Sequence, residues 1–228
     1  MTLTIYNAED IPQGSDAWLE ARAGILTASV AGKLLTATGK VANNDTSRAL
    51  TETLVAERLT GRVEITPPTR DMQRGTILED ESRRIYAEHY APVHEIGFAR
   101  LDTDTFTLGA SPDGLIGDDG GFETKSPRAR THMRTILEDR VPPQYVPQVQ
   151  ACLLVTGRSW WDFCSYVPGM TYYRKRVFPD PAMHAAIIAA AEAFEENANR
   201  MRDNYLTARN GMPDTPYWNP FDEGEEII

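Results

Sequence analysis

Cysteine is scarce in this chain: Cys152 and Cys164 are the two in 228 residues, both in apolar surroundings and without C-x-x-C spacing. That excludes a disulfide framework, a zinc ribbon and an iron–sulfur site, and leaves two small buried hydrophobes as the expectation. Histidine is scarce too. His89, His94, His132 and His184 show neither H-x-H nor H-E-x-x-H spacing, so a zinc enzyme has no ligand set. Apolar runs long enough to span a bilayer are missing, and the first residues lack the basic-then-apolar layout of a signal peptide. A cytoplasmic protein with no membrane partner is therefore expected. Ala31-Gly-Lys33 lacks the upstream glycine and following hydroxyl of a P-loop, which removes an ATP-driven motor. Positive charge is outnumbered, with 23 Lys and Arg against 33 Asp and Glu and a net charge of −10. A protein that coats nucleic acid nonspecifically carries the opposite sign, so any such contact must be local, as inside a channel.

What is present is ordinary for a soluble globular chain, with 41% hydrophobic and 25% charged residues, and one domain over 1–228 is the expectation. Residues 1–14 read as a loose or extended lead-in. Ser15 caps a helix through Trp18, Leu19 and Arg22 that Gly24 ends. A second helix starts near Thr27 and carries Val30, Leu34 and Leu35. Asp45 opens a third through Leu50, Leu54 and Leu59, closed by Gly61. After the Pro67-Pro68 break, Asp71 opens a long helix to about Tyr90, in which Gly75 and Glu79 share a face. A glycine there weakens the helix by about 1 kcal/mol and implies close approach by a ligand or backbone. Strands are expected at Val93–Arg100, Thr105–Ala110 and Gly121–Lys125, helices over 128–139 and 143–156, then strands at Trp160–Val167 and Thr171–Phe178 around the Pro168-Gly169 turn. Trp160-Trp161 reads as core. A helix from about Pro181 to Leu206 buries Ile187, Ala191, Phe194 and Ala198. Residues 208–228 read as a tail, ending in an acidic stretch.

The chemistry concentrates in Ala110-Ser-Pro-Asp-Gly-Leu-Ile116 and Gly121-Phe-Glu-Thr-Lys125. On a strand, Glu123 and Lys125 point one way and Phe122 and Thr124 the other. If Gly117-Asp-Asp-Gly-Gly121 makes a hairpin, Asp113 returns beside Glu123. Two carboxylates and an ammonium then converge, which suits a divalent metal and phosphodiester hydrolysis. Alone, an E-x-K pair is usually an exposed ion pair and an S-P-D-G aspartate a common turn residue.

The order of motifs is more specific. A turn aspartate, nine intervening residues and Glu-x-Lys, behind a helix bearing a half-buried glutamate, resembles the PD-(D/E)xK nuclease superfamily. Trp18-Leu-Glu-Ala-Arg22-Ala-Gly24-Ile-Leu-Thr27-Ala-Ser29, Arg74-Gly75-Thr-Ile-Leu-Glu79, Ala110-Ser-Pro-Asp113, Glu123-Thr-Lys125-Ser-Pro127 and Gln148-Val-Gln150 together resemble the phage lambda exonuclease family, the YqaJ-type viral recombinases. Thr124 departs from that pattern, where an apolar residue is more usual.

The resemblance implies an α/β, restriction-endonuclease-like fold, a central mixed β-sheet flanked by α-helices. It implies a Mg²⁺-dependent exonuclease, with Mn²⁺ as a substitute, that degrades double-stranded DNA from its ends in the 5′-to-3′ direction. A preference for a 5′-phosphate, mononucleotide products, a homotrimer ring around DNA and a single-strand annealing protein as partner come with it. Asp113, Glu123 and the Thr124 carbonyl would hold the metal, and Glu79 would contribute at that site or at a second metal. Lys125 would orient and help deprotonate the attacking water, with Gln148 ordering the lysine or that water. Arg22 would grip the 5′-phosphate through its planar fork, helped by Ser29 at a helix start. Lys33, Lys40, Arg48, Arg74 and Arg128 are channel-lining candidates, and Gln150 is read as solvated. An endonuclease on the same fold, and a DNA-end-binding protein that no longer cuts, are the alternatives.

Overall fold

The computed structural model describes residues 1–63 and 67–218. The acidic end, 219–228, and the residues just before Pro67-Pro68 lie outside the described residues. Among the described residues, eight strands form two four-stranded mixed sheets flanked by helices, the expected α/β arrangement with its sheet in two halves. The first half has the order β1 (Thr2–Asn7), β3 (Ile96–Asp102), β4 (Thr107–Ala110), β2 (Leu26–Thr27), with only β2 and β4 parallel. The second runs β5 (Gly114–Ile116), β6 (Gly120–Lys125), β7 (Trp160–Ser165), β8 (Tyr173–Val177), with β6 and β7 parallel. Reciprocal backbone bonds of 2.8 Å between His94 and Leu115 tie the halves together.

Helix ends follow local chemistry. In α1 (Asp16–Arg22) the Ser15 hydroxyl accepts from the Trp18 amide. Helix α2 (Ala28–Ala31) starts at Thr27 and passes into a 3₁₀ turn. Helix α3 (Asp45–Thr60) is capped one residue earlier than expected, because Asn44 and Ser47 form a reciprocal box; Gly61, at φ 69°, closes it. Helix α4 (Arg70–His89) likewise starts from the Thr69 hydroxyl rather than at Asp71. Helices α5 (Ala129–Glu138), α6 (Val146–Thr156) and α7 (Pro181–Ala208) complete the set, α6 preceded by a 3₁₀ turn over Pro143–Tyr145.

The lead-in contains the paired strand β1, so its extended reading holds and its loose reading does not. Helix α6 packs between α2, α7 and both sheets, and its Val149, Cys152 and Leu153 belong to the main core. The opposite face of β6 meets α4 in a smaller cluster of Tyr86, Ile116, Phe122 and Cys164. Both cysteines are thus buried and free. Trp161 is fully buried, while Trp160 lies under the Arg176 guanidinium. Gln150 is a correction. It is buried, donates to the Phe178 carbonyl at 2.9 Å and accepts from the Asp180 amide at 2.9 Å, so it fastens the start of α7 rather than facing water.

Candidate active site

The β5–β6 hairpin forms, and the alternation of β6 sorts its side chains as the strand period requires. Phe122 and Thr124 face α4, while Glu123 and Lys125 face α6. The Asp113 carboxylate accepts from the Thr124 amide at 2.7 Å, so the turn aspartate returns to the strand that carries Glu123. Glu123 has no exposed surface. One of its oxygens takes the Lys125 ammonium at 2.5 Å and the Gln148 amide at 2.6 Å; the other, Oε2, is buried with no partner. An orphaned, buried carboxylate oxygen beside a second, half-buried carboxylate is an arrangement that a cation would satisfy.

Glu79 reaches the same cleft from α4. Its carboxylate is held by Arg83 at 2.8 Å, and the Arg83 Nε donates to the Asp113 carbonyl at 3.1 Å. Burial, and then the Asp113 charge, push Glu79 up to about 7 against the pull of Arg83. Burial and then Asp113 push Glu123 up to about 8, and burial raises Asp113 against the opposing Lys125. Burial pulls the Lys125 ammonium down, but Glu123 and Asp113 outweigh it and hold it above the usual lysine range. Three crowded carboxyls resist ionising together, which is the electrostatic counterpart of the orphaned oxygen. The cleft encloses about 630 Å³, with Gly75, Glu79, Asp113, Thr124, Lys125 and Tyr145 on its walls. A Cβ on Gly75 would meet nothing within 4 Å, so the glycine borders free space and no backbone presses on it. Among the described residues, no three His, Cys, Asp or Glu side chains close into a ready metal cage. An ion here would draw on Asp113, Glu123, the Thr124 carbonyl and its own waters, a sparse set of the kind that suits Mg²⁺.

Six expected site residues, Asp113, Glu123, Thr124, Lys125, Glu79 and Gln148, are therefore together. Ser29 lies beyond Gln148, in a groove of about 880 Å³ that also holds Lys33, Arg140 and Gln144. Arg22 does not line the cleft. It stacks over the Trp18 ring at 4.2 Å and borders a cavity of about 470 Å³ with Thr27, Lys33 and Glu57. Burial lowers its pKa, opposed by Glu57. Gln144 borders both cleft and groove, and Lys33 borders both groove and cavity, so the three spaces adjoin. The turn after Arg22 is clamped to α3: Gly24 donates to Glu57 at 2.8 Å and accepts from Arg58 at 2.7 Å. Of the channel-lining candidates, Arg74 is spent on the Ser126 and Pro127 carbonyls, Arg48 pairs with Asp45, and Arg128 stays largely exposed. Sequence reasoning missed Arg83 and the Tyr145 ring, 5.6 Å from the Lys125 ammonium. Arg83 had a signal, since it stands four residues after Glu79 on one helix.

The fold and this site define a class: a nuclease of the restriction-endonuclease-like fold. The sequence model of the YqaJ-like viral recombinase domain matches residues 17–159. The chain belongs to that family. Its structure is similar to an alkaline exonuclease from Laribacter hongkongensis, at 34% identity and a TM-score of 0.75, covering 86% of this chain and 98% of that one. The same enzyme has been solved in complex with dAMP, with the same agreement. A phage-related exonuclease from Haemophilus somnus 129PT shares the fold at a TM-score of 0.55 and 12% identity, over 78% of this chain and 96% of that one. No curated protein sequence matches the chain. No helix among the described residues is long and apolar enough to cross a membrane.

Proposed function

We propose that residues 1–228 form one nuclease domain, a Mg²⁺-dependent exonuclease that degrades double-stranded DNA from its ends in the 5′-to-3′ direction and releases mononucleotides. Mn²⁺ is the expected substitute. The observation that carries this is the buried, unpartnered Glu123 Oε2, set beside Asp113 and the Thr124 backbone with a lysine locked to the other oxygen. Asp113, Glu123 and the Thr124 carbonyl would hold the ion, with Glu79 adding a fourth oxygen or serving a second metal. Bound there, a divalent cation supplies Lewis-acid polarisation of the scissile phosphate and a more acidic bound water.

The protein's own groups do the rest. Lys125, paired with Glu123, orients the attacking water, helps to deprotonate it and offsets charge developing on the phosphate. Gln148 fixes the Glu123 oxygen shared with Lys125 and so holds the ion pair in one geometry. Arg22, stiffened by Trp18, and Ser29 border the spaces that adjoin the cleft. They are the proposed grip on a 5′-phosphate. A homotrimer ring around DNA would reconcile this with a net charge of −10, and an annealing protein acting on the exposed strand is the proposed partner.

The dAMP complex of the Laribacter enzyme supports a nucleotide-sized product at such a site. Linear duplex labelled at either end, with 5′-phosphate or 5′-hydroxyl termini, tests polarity. Early release of the 5′ label, faster from phosphorylated ends, is expected, and early release of the 3′ label overturns the direction.

A further inference from the structure

Helix α4 carries Glu79 but is not part of the sheet that carries Asp113 and Glu123. Something must register the helix against the strand. Ser82 stands three residues after Glu79, on the same helical face, and has no exposed surface. Its hydroxyl lies 2.6 Å from the Thr124 hydroxyl on β6 and 3.0 Å from the Tyr172 hydroxyl at the start of β8. Tyr172 also donates to the Ser82 carbonyl at 3.1 Å. One assignment uses every proton: Thr124 donates to Ser82, Ser82 to Tyr172, and Tyr172 to the Ser82 backbone. Thr124 is therefore a junction. Its side chain holds α4, and its amide holds Asp113.

We propose that the Ser82–Thr124 hydroxyl bond is a positioning link that sets Glu79 against Asp113 and Glu123, so that all three carboxylates count toward one divalent-cation site. This rests on the metal-dependent reading given under Proposed function. Ser82 touches no substrate; it acts through Glu79. A strand rises about 3.3 Å per residue, so a slip of one residue along β6 carries the Glu79 carboxylate out of reach of a metal bond of about 2 Å. The Arg83 contacts to Glu79 and the Asp113 carbonyl fix the side chain, but they grip the turn before β5. The hydroxyl bond grips the strand itself. It sits in the interior, where loss of the Ser82 hydroxyl leaves the Thr124 hydroxyl without its partner, while Tyr172 keeps its bond to the Ser82 carbonyl.

Calorimetric titration of the intact protein with Mn²⁺ in the absence of DNA tests the link. Ser82→Ala should weaken Mn²⁺ binding about 10-fold, the low end for removing an outer partner of a metal ligand. Thr124→Val, which breaks the same bond from the strand side and keeps the backbone carbonyl, should do the same. Glu79→Gln should weaken binding at least as much, and Ser82→Ala/Glu79→Gln should be no weaker than Glu79→Gln alone. A Ser82→Ala protein that melts earlier but gives the wild-type isotherm overturns the proposal, as do losses that multiply in the double variant. If Ser82→Ala does not fold, Thr124→Val decides on the same criteria. Failure of the functional reading looks different: Glu123→Gln would then bind Mn²⁺ like the wild type.

Discussion

Raising the pH should weaken the metal-free fold, and Mg²⁺ should restore it. The Glu123 carboxyl is fully buried and pushed up to about 8, against an ordinary 4.5, by burial and then by Asp113. With the folded value above the unfolded one, the stability due to the protonated form is complete below 4.5 and is lost as pH climbs through about 8. Asp113 and Glu79 are raised as well and act in the same direction. His184, lowered by burial, opposes them only below its ordinary 6.5, and Asp102 and Asp162, held below 3.8, respond only in acid. The window from pH 6.5 to 8 therefore isolates the site. At about 1.4 kcal/mol per unit, Glu123 alone costs about 2 kcal/mol across it. For a chain of this size that is a fall of about 4–8 °C in melting temperature. Calorimetric melts in chelator at pH 6.5 and 8, repeated in saturating Mg²⁺, measure it. The ion needs ionised carboxylates, so its stabilisation should be larger at pH 8. Glu123→Gln should flatten the pH dependence. A melting temperature in chelator that does not fall, or a Mg²⁺ shift equal at both pH values, refutes the reasoning.

Other outcomes follow from the same geometry. Lys125→Ala should reduce DNA hydrolysis at least 100-fold, as removal of a transition-state donor does, while circular dichroism stays native; activity within 10-fold of wild type would remove the lysine from the chemistry. Arg22→Ala should narrow the rate ratio between 5′-phosphate and 5′-hydroxyl ends toward one without changing the cutting of long preloaded substrates; an unchanged ratio takes Arg22 out of end recognition. Gly97→Ala should destabilise the fold by about 1–3 kcal/mol in denaturant titration, because a Cβ there would lie 2.0 Å from the Ile11 carbonyl oxygen. A neutral Gly97→Ala would mean that the lead-in after β1 does not press on β3.

The sequence was most legible where one residue type serves one physical purpose. Ser15 and Gly61 mark helix ends in the pattern and in the structure alike. Asp113, Glu123 and Lys125 could be placed because hairpin and strand period leave them one arrangement. Strand β2 has two residues and β5 three, too short for any periodicity. In β1 the apolar Leu3 and Ile5 are exposed, so alternation there reports no buried face. Arg22 and Ser29, the proposed 5′-phosphate residues, lie close in sequence yet border different spaces. Ser82 was illegible for another reason. A serine inside a helix reads as a surface residue, and only tertiary packing reveals the buried hydroxyl it meets.

Incubation of linear duplex and closed circular DNA with wild type or Glu123→Gln, in Mg²⁺ or in chelator, tests the metal-dependent exonuclease most directly. Mononucleotides should appear from the linear DNA alone, with wild type and Mg²⁺ alone. Nicking of the closed circles, release in chelator, or full activity of Glu123→Gln would contradict it.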